Sequence, residues 1–244
     1  TYGGLVMIPG TSLMAVSTSM EFVGARSRMP GRGKFYRDNY MGGSGLWIFD
    51  PVKKEWKVSK KAGMVATYGA GACDPAQPEW VYYFGPKFSQ MINWKTEETR
   101  KLRRLHLTGY VGVSYNPDDR CFYSAPCSSK QPKNTKIMKF DIAKKTWQTL
   151  TPAGDAPKTY DVNIIYDRVN KVFVCFRAGY AYYYSPRENK WYKPGKLLDK
   201  TLDNMRHHHV YDPVNDVHIV TVSRWKTFAY KLADKPGTLP GTSK

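Results

Sequence analysis

The sequence predicts an all-β fold, a β-propeller of four-stranded blades of which about five can be read. The first observation is a repeated segment in which an apolar run and Asp or Ser lead through a polar turn to a Trp, ending at Trp56, Trp147 and Trp191. The first two of these Trp residues are 91 positions apart and the last two 44 apart. The period is therefore near 45 residues with one copy skipped, and a degenerate copy at residues 94–102 fills the gap, with Arg100 or Lys101 near the Trp position.

A second marker recurs with the same spacing. An aromatic residue or Cys followed by Asp or Asn stands before a polar turn at positions 73, 115, 166 and 211, which are 42, 51 and 45 residues apart. Two independent markers that share a period of 40 to 50 residues, with strand-type content between them, are typical of propeller blades.

Composition agrees with this fold. Aromatic residues make up 14% of the 244 residues, which suits strands better than helices, and the length suits one closed all-β domain. No run approaches the roughly 18 apolar residues that a membrane-spanning helix needs, so no membrane span is predicted. The formal net charge of +18 is the outlier, and it favours acidic partners such as nucleic acid, acidic polysaccharide or an acidic protein.

Taken in order, each blade is a set of runs rich in Val, Ile, Tyr, Phe and Trp, bounded by turn residues. The predicted propeller covers residues 1–232, and an irregular Pro/Gly-rich basic tail follows at 233–244. The blades fall at about 1–60, 61–106, 107–150, 151–195 and 196–232.

Strands are predicted within each blade from those runs. They are 4–8, 13–18, 46–50 and 56–59 in the first blade; 66–72, 80–84 and 91–94 in the second; 110–115, 121–125, 136–141 and 146–150 in the third; 162–166, 171–176, 179–184 and 190–193 in the fourth; and 207–211, 217–222 and 227–231 in the fifth. The fifth lacks a fourth strand. Either five blades close imperfectly, or the chain is part of a larger propeller.

The paired pattern of Tyr-Asp before one turn and Phe-Asp before a turn that ends at Trp resembles the Kelch-type repeat, which also builds the propeller of galactose-oxidase-like proteins. The copies lie at residues 49–56, 140–147, 166–176 and 211–220. The glycine pair that usually ends the second Kelch strand is absent. The resemblance implies that the Tyr, Asp and Trp residues pack the blades and form the turns, and that loops carry binding. Each turn Asp can accept hydrogen bonds from the backbone N–H groups of its own turn.

Two basic segments are candidates for binding a polyanion or an acidic protein. The first is an insertion at 21–45 in which basic residues alternate with aromatic residues and Gly, a mixture that contacts anions and stacks on bases or sugar rings. The second is a basic run at 100–104, for which the alternative is an exposed blade edge where Lys and Arg discourage strand pairing. The candidate residues are Arg26, Arg28, Arg32, Lys34, Tyr36, Arg37, Arg100, Lys101, Arg103 and Arg104.

Histidines supply one candidate metal site. His207 and His209 alternate along a predicted strand, so their side chains can share a face, and two imidazoles can begin a metal site that needs a third ligand. His106 and His218 are candidates for that ligand. The alternative is a strand with one packed and one solvated face. The four Cys form no CxxC pair, which predicts buried thiols rather than a zinc site.

Enzymatic signatures are missing from the sequence. It contains no Gly-x-Ser-x-Gly, no P-loop and no Rossmann fingerprint, and most of its carboxylates fall in repeat turns. We therefore predict no catalytic residue and no cofactor. The favoured interpretation is a non-enzymatic interaction propeller that docks in a multi-subunit assembly or holds an acidic partner. The alternatives are an exported carbohydrate-binding or carbohydrate-active propeller for anionic polysaccharide, which favours an extracellular or periplasmic location, and a nucleic-acid-associated subunit of a ribonucleoprotein.

Overall fold

The computed structural model describes nine segments of the chain, and all twenty elements in them are β-strands. The described segments are residues 5–17, 46–59, 70–85, 89–103, 112–125, 136–157, 163–193, 207–222 and 226–233. This content confirms the predicted all-β class. No helix in the described segments is long and apolar enough to cross a membrane.

The strands belong to two compact units. The first unit comprises Thr1–Val111 with Asp141–Trp147, and the second comprises Gly112–Phe140 with Gln148–Lys244. Three segments of predicted interest lie outside the described residues: the insertion at 21–45, most of the basic tail at 233–244, and the stretch from 104 to 111.

The first unit holds two four-stranded antiparallel sheets, each with its strands in sequence order. The first sheet consists of β1 (Leu5–Met7), β2 (Met14–Ser17), β3 (Leu46–Asp50) and β4 (Glu55–Ser59), and the second of β5 (Ala70–Cys73), β6 (Trp80–Phe84), β7 (Ser89–Asn93) and β8 (Thr99–Leu102). Strand β8 was not predicted as a strand, although its segment was recognised as a degenerate repeat copy.

The core of the first unit lies between these two sheets. Because side chains alternate across a strand, each sheet presents every second residue to this core. Leu46 and Ile48 from β3 pack with Val81 and Tyr83 from β6, and all four are buried.

The second unit holds the remaining sheets. Its third sheet has the order β12-β11-β10-β9 and consists of β9 (Ser114–Asn116), β10 (Cys121–Ser124), β11 (Ile137–Asp141) and β12 (Thr146–Leu150), of which the last two also contribute residues to the first unit. The fourth has the order β13-β17-β16-β15-β14 and consists of β13 (Ala153–Gly154), β14 (Ile165–Asp167), β15 (Val172–Arg177), β16 (Tyr180–Ser185) and β17 (Lys190–Tyr192). The fifth has three described strands, β18 (His207–Asp212), β19 (Val217–Val222) and β20 (Lys226–Tyr230).

The fourth sheet is buried on both faces. On one face Phe173 and Cys175 pack with residues of the third sheet, and on the other Val172 and Val174 pack with Val220 of the fifth. The continuous apolar run of β15, rather than an alternating one, follows from this double burial.

An additional short strand lies on the outer edge of the fourth sheet. Strand β13 pairs in parallel with β17. The other described strand pairs with a defined register are antiparallel. Gly154 in β13 has a φ of +85°, and a Cβ added there would lie 2.1 Å from the carbonyl oxygen of Trp191. The close approach therefore depends on glycine.

One turn geometry recurs throughout the protein. In seven hairpins a side-chain oxygen accepts a hydrogen bond from a backbone N–H two or three residues later, as predicted for the turn Asp residues. The accepting residues are Asp50, Asn93, Asn116, Asp141, Asp167, Ser185 and Asp212. Four positions after each, a residue adopts a left-handed φ between 48° and 63°, the geometry that closes a hairpin after a type I turn. These residues are Lys54, Glu97, Arg120, Lys145, Lys171, Asn189 and Asp216.

This geometry corrects one detail of the repeat alignment. Asn93 occupies the turn position that Asp50 holds in the first sheet, because its Oδ1 accepts from Lys95 and Thr96. The residue six positions after Asp50 is Trp56, so Thr99 holds the equivalent position in the second sheet. The sequence predicted Arg100 or Lys101 near this position, and they lie one and two residues after it.

Candidate functional site

The basic candidate residues divide between described and undescribed parts of the chain. Arg26, Arg28, Arg32, Lys34, Tyr36, Arg37 and Arg104 lie outside the described residues. Arg100 and Lys101 lie on β8, and Arg103 follows it directly. All three side chains are exposed. The structure thus places part of the second basic run along one strand.

Strand β8 forms the outer edge of the second sheet. It is the last strand in the order β5-β6-β7-β8, and among the described strands it pairs with β7 alone. The amide of Asn93 donates to the carbonyl of Glu98 at 2.8 Å, which makes this pair the hydrogen-bonded one at the hairpin end. Because hydrogen-bonded and non-hydrogen-bonded pairs alternate in antiparallel sheets, Arg100 and Leu102 bond β7, whereas Thr99 and Lys101 direct their backbone groups away from it.

Arg100 is held in place by two neighbours. Its Nε donates to Glu98 Oε1 at 2.7 Å, and its guanidinium carbon lies 4.5 Å from the centre of the Trp80 ring. An exposed ion pair of this kind contributes little stability, but together with the ring contact it orients the guanidinium. The net positive charge of residues 98–103 therefore comes from Lys101 and Arg103.

A Trp from the same unit contacts the backbone directly after β8. Trp147 donates its indole N–H to the carbonyl of Arg103 at 3.1 Å, and its ring meets Phe84 edge-on with the ring centres 5.0 Å apart. An indole that is anchored at both its ring and its nitrogen fixes the position of the Arg103 backbone.

The protein uses many of its carboxylates internally. The turn acceptors Asp50, Asp74, Asp141, Asp167 and Asp212 accept backbone amides of their own turns. These carboxylates serve the fold, and one of them, Asp141, also lies 3.5 Å from the Nζ of Lys144 through its Oδ2.

Two further carboxylates are engaged with tyrosines and lysines of the second unit. Asp119 accepts from the Tyr123 hydroxyl at 2.6 Å and lies 2.9 Å from Lys139 Nζ. Asp118 accepts from the Tyr166 hydroxyl at 3.1 Å. Because Tyr166 belongs to the fourth sheet and Asp118 to the β9–β10 turn of the third, this bond connects the two. Burial, reinforced by these carboxylates, raises the pKa of both Tyr hydroxyls above their ordinary values.

A buried polar chain lies between the fourth and fifth sheets of the second unit. His209 Nε2 is 2.8 Å from His218 Nδ1, and His218 Nε2 is 3.2 Å from Asp167 Oδ2. Asp167 and His218 are fully buried and His209 is 4% exposed. Phe176 meets both imidazoles edge-on, and the ring centre of Tyr211 lies 4.8 Å from that of His218.

The carboxylate fixes the direction of the hydrogen bonds. An ionised Asp accepts only, so His218 donates through Nε2 and, when neutral, accepts through Nδ1 from the Nε2–H of His209. Burial alone would raise the pKa of Asp167, but hydrogen bonds from His218 and Asn170 outweigh it and hold that pKa below its ordinary value. The chain is therefore a polar connection between two sheets, and its hydrogen bonds have a defined direction.

The predicted metal site at His207 and His209 stays a prediction. The side chain of His207 lies outside the described part of the structure, and the Nε2 of His209 is occupied by the contact with His218. Among the described residues, no group of three or more His, Cys, Asp or Glu side chains is arranged to hold a metal ion.

The sequence singled out His209 and His218 as candidates but did not predict their connection to Asp167. The repeat contains a signal that could have found it. His218 pairs with Tyr211 in the position where Phe122 pairs with Tyr115 and Phe173 with Tyr166, so it replaces a core aromatic residue. A histidine at a position of the repeat that is otherwise apolar and buried needs a polar partner.

Five small, mainly antiparallel sheets with these recurring turns define the protein as a five-bladed β-propeller. A chain in a crystal structure of a nidogen/laminin complex is similar to it, with a TM-score of 0.57 and 10% sequence identity over 93% of this chain and 79% of that chain. This likeness concerns the fold. No protein-family model and no curated protein sequence matches the chain.

Proposed function

We propose that this chain is a non-enzymatic interaction propeller that holds an acidic protein partner within a larger assembly. The observation that carries the proposal is the exposed basic outer strand β8 with Arg100, Lys101 and Arg103. The excess of basic residues supports it, because the formal net charge is +18. The similar chain also comes from a protein–protein complex, although that fact concerns the other protein.

The test is capture of partners from the source at low salt, followed by native mass determination. A stoichiometric acidic protein in the peak is expected, and its retention should fall as salt screens the contact. A bare 27.9 kDa monomer at low salt would contradict the proposal. A co-purifying nucleic acid would favour the ribonucleoprotein alternative, with affinity that falls steeply with salt.

Two variants locate the contact. In one, Arg100, Lys101 and Arg103 are changed to Ala, and in its matched control three exposed lysines of another hairpin, Lys53, Lys54 and Lys57, are changed to Ala. Both variants remove three positive charges. A larger loss of partner binding in the first variant therefore indicates a local contact at β8. A third variant, with Ala at Arg26, Arg28, Arg32, Lys34 and Arg37, tests whether the insertion contributes.

The assignment of blades and of the Kelch-type repeat belongs to the same proposal. We infer blades at 1–60, 61–106, 107–150, 151–195 and 196–232, and each of the five described sheets falls within one of these ranges. The turn Asp residues support the Kelch-type resemblance. The absent glycine pair stands against a regular Kelch blade.

A second candidate function is binding of an anionic glycan, and it is favoured by Trp56. This side chain is 55% exposed, whereas Trp191 at the equivalent repeat position is 1% exposed. Trp56 lies against Phe49 with ring centres 4.8 Å apart and is followed by the exposed Lys57, an arrangement suited to a sugar ring carrying an acid group. Quenching of Trp fluorescence across a panel of uronates and sulfated glycans tests this candidate. A response that survives Trp56→Ala would contradict it.

A further inference from the structure

We propose that β8 receives its partner by β-augmentation: an extended acidic segment adds to the second sheet as a fifth strand, antiparallel or parallel to β8. This inference rests on the proposed function above and specifies how the partner is held. It adds backbone recognition to what would otherwise be charge attraction alone.

The backbone of β8 presents the hydrogen-bonding groups that such a segment requires. Thr99 and Lys101 are the residues whose N–H and C=O groups are directed away from β7, as the register places Ile92 opposite Thr99 and Gln90 opposite Lys101 in non-hydrogen-bonded pairs. An edge strand with its outward groups exposed is a template for pairing with another chain.

The edge already accepts one hydrogen bond from outside its sheet. The Arg103 carbonyl, which alternation directs outward like the groups of Thr99 and Lys101, is the acceptor for the Trp147 indole at 3.1 Å. This contact supports the assignment of outward groups. It also limits the open edge, since the partner can pair beside Thr99 and Lys101 but meets Trp147 at Arg103.

The side chains select an acidic segment. Thr99, Lys101 and Arg103 are two residues apart and share one face of the sheet, so a partner with acidic residues at alternate positions would present them to Lys101 and Arg103. No ion pair joins Lys101 or Arg103 to a carboxylate in the segments that the structure describes. The same charges repel a second copy of β8, so the edge is protected against self-pairing while it remains open to an acidic strand.

Two capped peptides of equal charge test the proposal on the whole chain. One alternates Glu and Val over ten residues, and the other alternates Glu and Pro, which lacks half of the backbone donors and cannot form a strand ladder. We expect the Glu-Val peptide to bind at least tenfold more tightly. Equal binding of the two peptides would overturn augmentation while leaving the acidic-partner proposal intact. Failure of both peptides to bind would also overturn augmentation.

A backbone variant separates pairing from charge. Lys101→Pro removes an outward N–H without touching a bond to β7, and Lys101→Ala removes the same charge while keeping that N–H. Binding of the Glu-Val peptide should fall at least tenfold more for Lys101→Pro than for Lys101→Ala, with unchanged circular dichroism. Equal loss in the two variants would overturn the proposal.

A second measurement keeps the test independent of whether Lys101→Pro folds. Glu-Val peptides N-methylated either at the Glu or at the Val nitrogens are compared on the wild-type chain. Since only one set of nitrogens faces β8, one peptide should retain binding and the other should lose it. Equal effects of the two N-methylated peptides would overturn the proposal. A ten-residue oligouridylate that displaces the peptide and binds Lys101→Pro as well as wild type would also overturn it, in favour of nucleic acid.

Discussion

The buried connection between the fourth and fifth sheets makes Asp167→Asn the most informative substitution. The carboxylate of Asp167 accepts three hydrogen bonds, from the Asn170 backbone N–H at 2.8 Å, the Asn170 side-chain amide at 2.9 Å and His218 Nε2 at 3.2 Å. The substitution keeps the shape and one acceptor oxygen but places an NH2 group opposite two donors. Two hydrogen bonds to a charged acceptor are therefore lost.

The expected loss of stability follows from those two bonds. At about 1.5 kcal/mol for each hydrogen bond to a charged group, Asp167→Asn should lower the free energy of unfolding by about 3 kcal/mol. If His218 and His209 both exchange tautomers, the new amide can donate to His218 and the loss falls to about 1.5 kcal/mol. Urea unfolding followed by Trp fluorescence measures this difference through the shift of the midpoint.

The fifth sheet offers a matched control. Asp212 occupies the same turn position and accepts from Val214, Asn215 and the Asn215 side chain, but it lies nearer solvent and has no histidine partner in the described segments. Asp212→Asn should therefore destabilise much less. Equal losses in the two variants would refute the argument, because the turn alone would then account for the effect.

The pH dependence of the difference between wild type and Asp167→Asn gives the same argument a second test. The pKa of Asp167 is held below its ordinary value in the folded state. The stability it contributes is therefore complete above the unfolded pKa, near 4, and is lost as pH falls through the lower folded pKa. The wild type and Asp167→Asn should converge in stability in that acid window. A difference that stays constant there would contradict the assignment of an ionised carboxylate.

The remaining predictions each use an internal pair of variants. Lys54 has a φ of 59°, so Lys54→Gly should raise the free energy of unfolding by about 1 kcal/mol, whereas Lys53→Gly, one position earlier, should lower it by about 0.5 kcal/mol; the same sign for both in urea unfolding would contradict the strain argument. Tyr123→Phe removes the hydroxyl bonded to Asp119 and should cost about 1 to 2 kcal/mol. Tyr83→Phe removes a buried hydroxyl that has no partner among the described residues and should be neutral or stabilising, so a larger loss for Tyr83→Phe would refute that difference.

The sequence predicted the turns well because their chemistry is local. An Asp or Asn at the end of a strand can satisfy the next amides by itself, and Asp50 and Asp212 do so as expected. The left-handed residue four positions later was not predicted, since none of the seven is glycine and five are Lys, Glu or Arg. Strand β13 was missed for a different reason: two residues beside an edge leave no periodic pattern, and only the close approach of Gly154 to Trp191 reveals them.

Interactions between sheets were harder to predict than the sheets themselves. The three Trp residues of the repeat share one sequence pattern, yet Trp191 is buried, Trp147 reaches the Arg103 carbonyl and Trp56 is largely exposed. Their surroundings depend on which sheet covers each one, and that information is not local. The same holds for His218, whose partner Asp167 is 51 residues away.

Charge and fold are connected in this protein through the turns. Each hairpin that closes on an Asp fixes one carboxylate at the turn, because its oxygens are directed at backbone amides. A repeat protein multiplies this effect by the number of hairpins, so the positions of many negative charges follow from the fold. The net charge is a sum over the whole chain and does not locate a binding surface. The stronger evidence is positional: Lys101 and Arg103 stand at an outer edge whose backbone groups face outward, where a charge and a hydrogen-bonding strand can be recognised together.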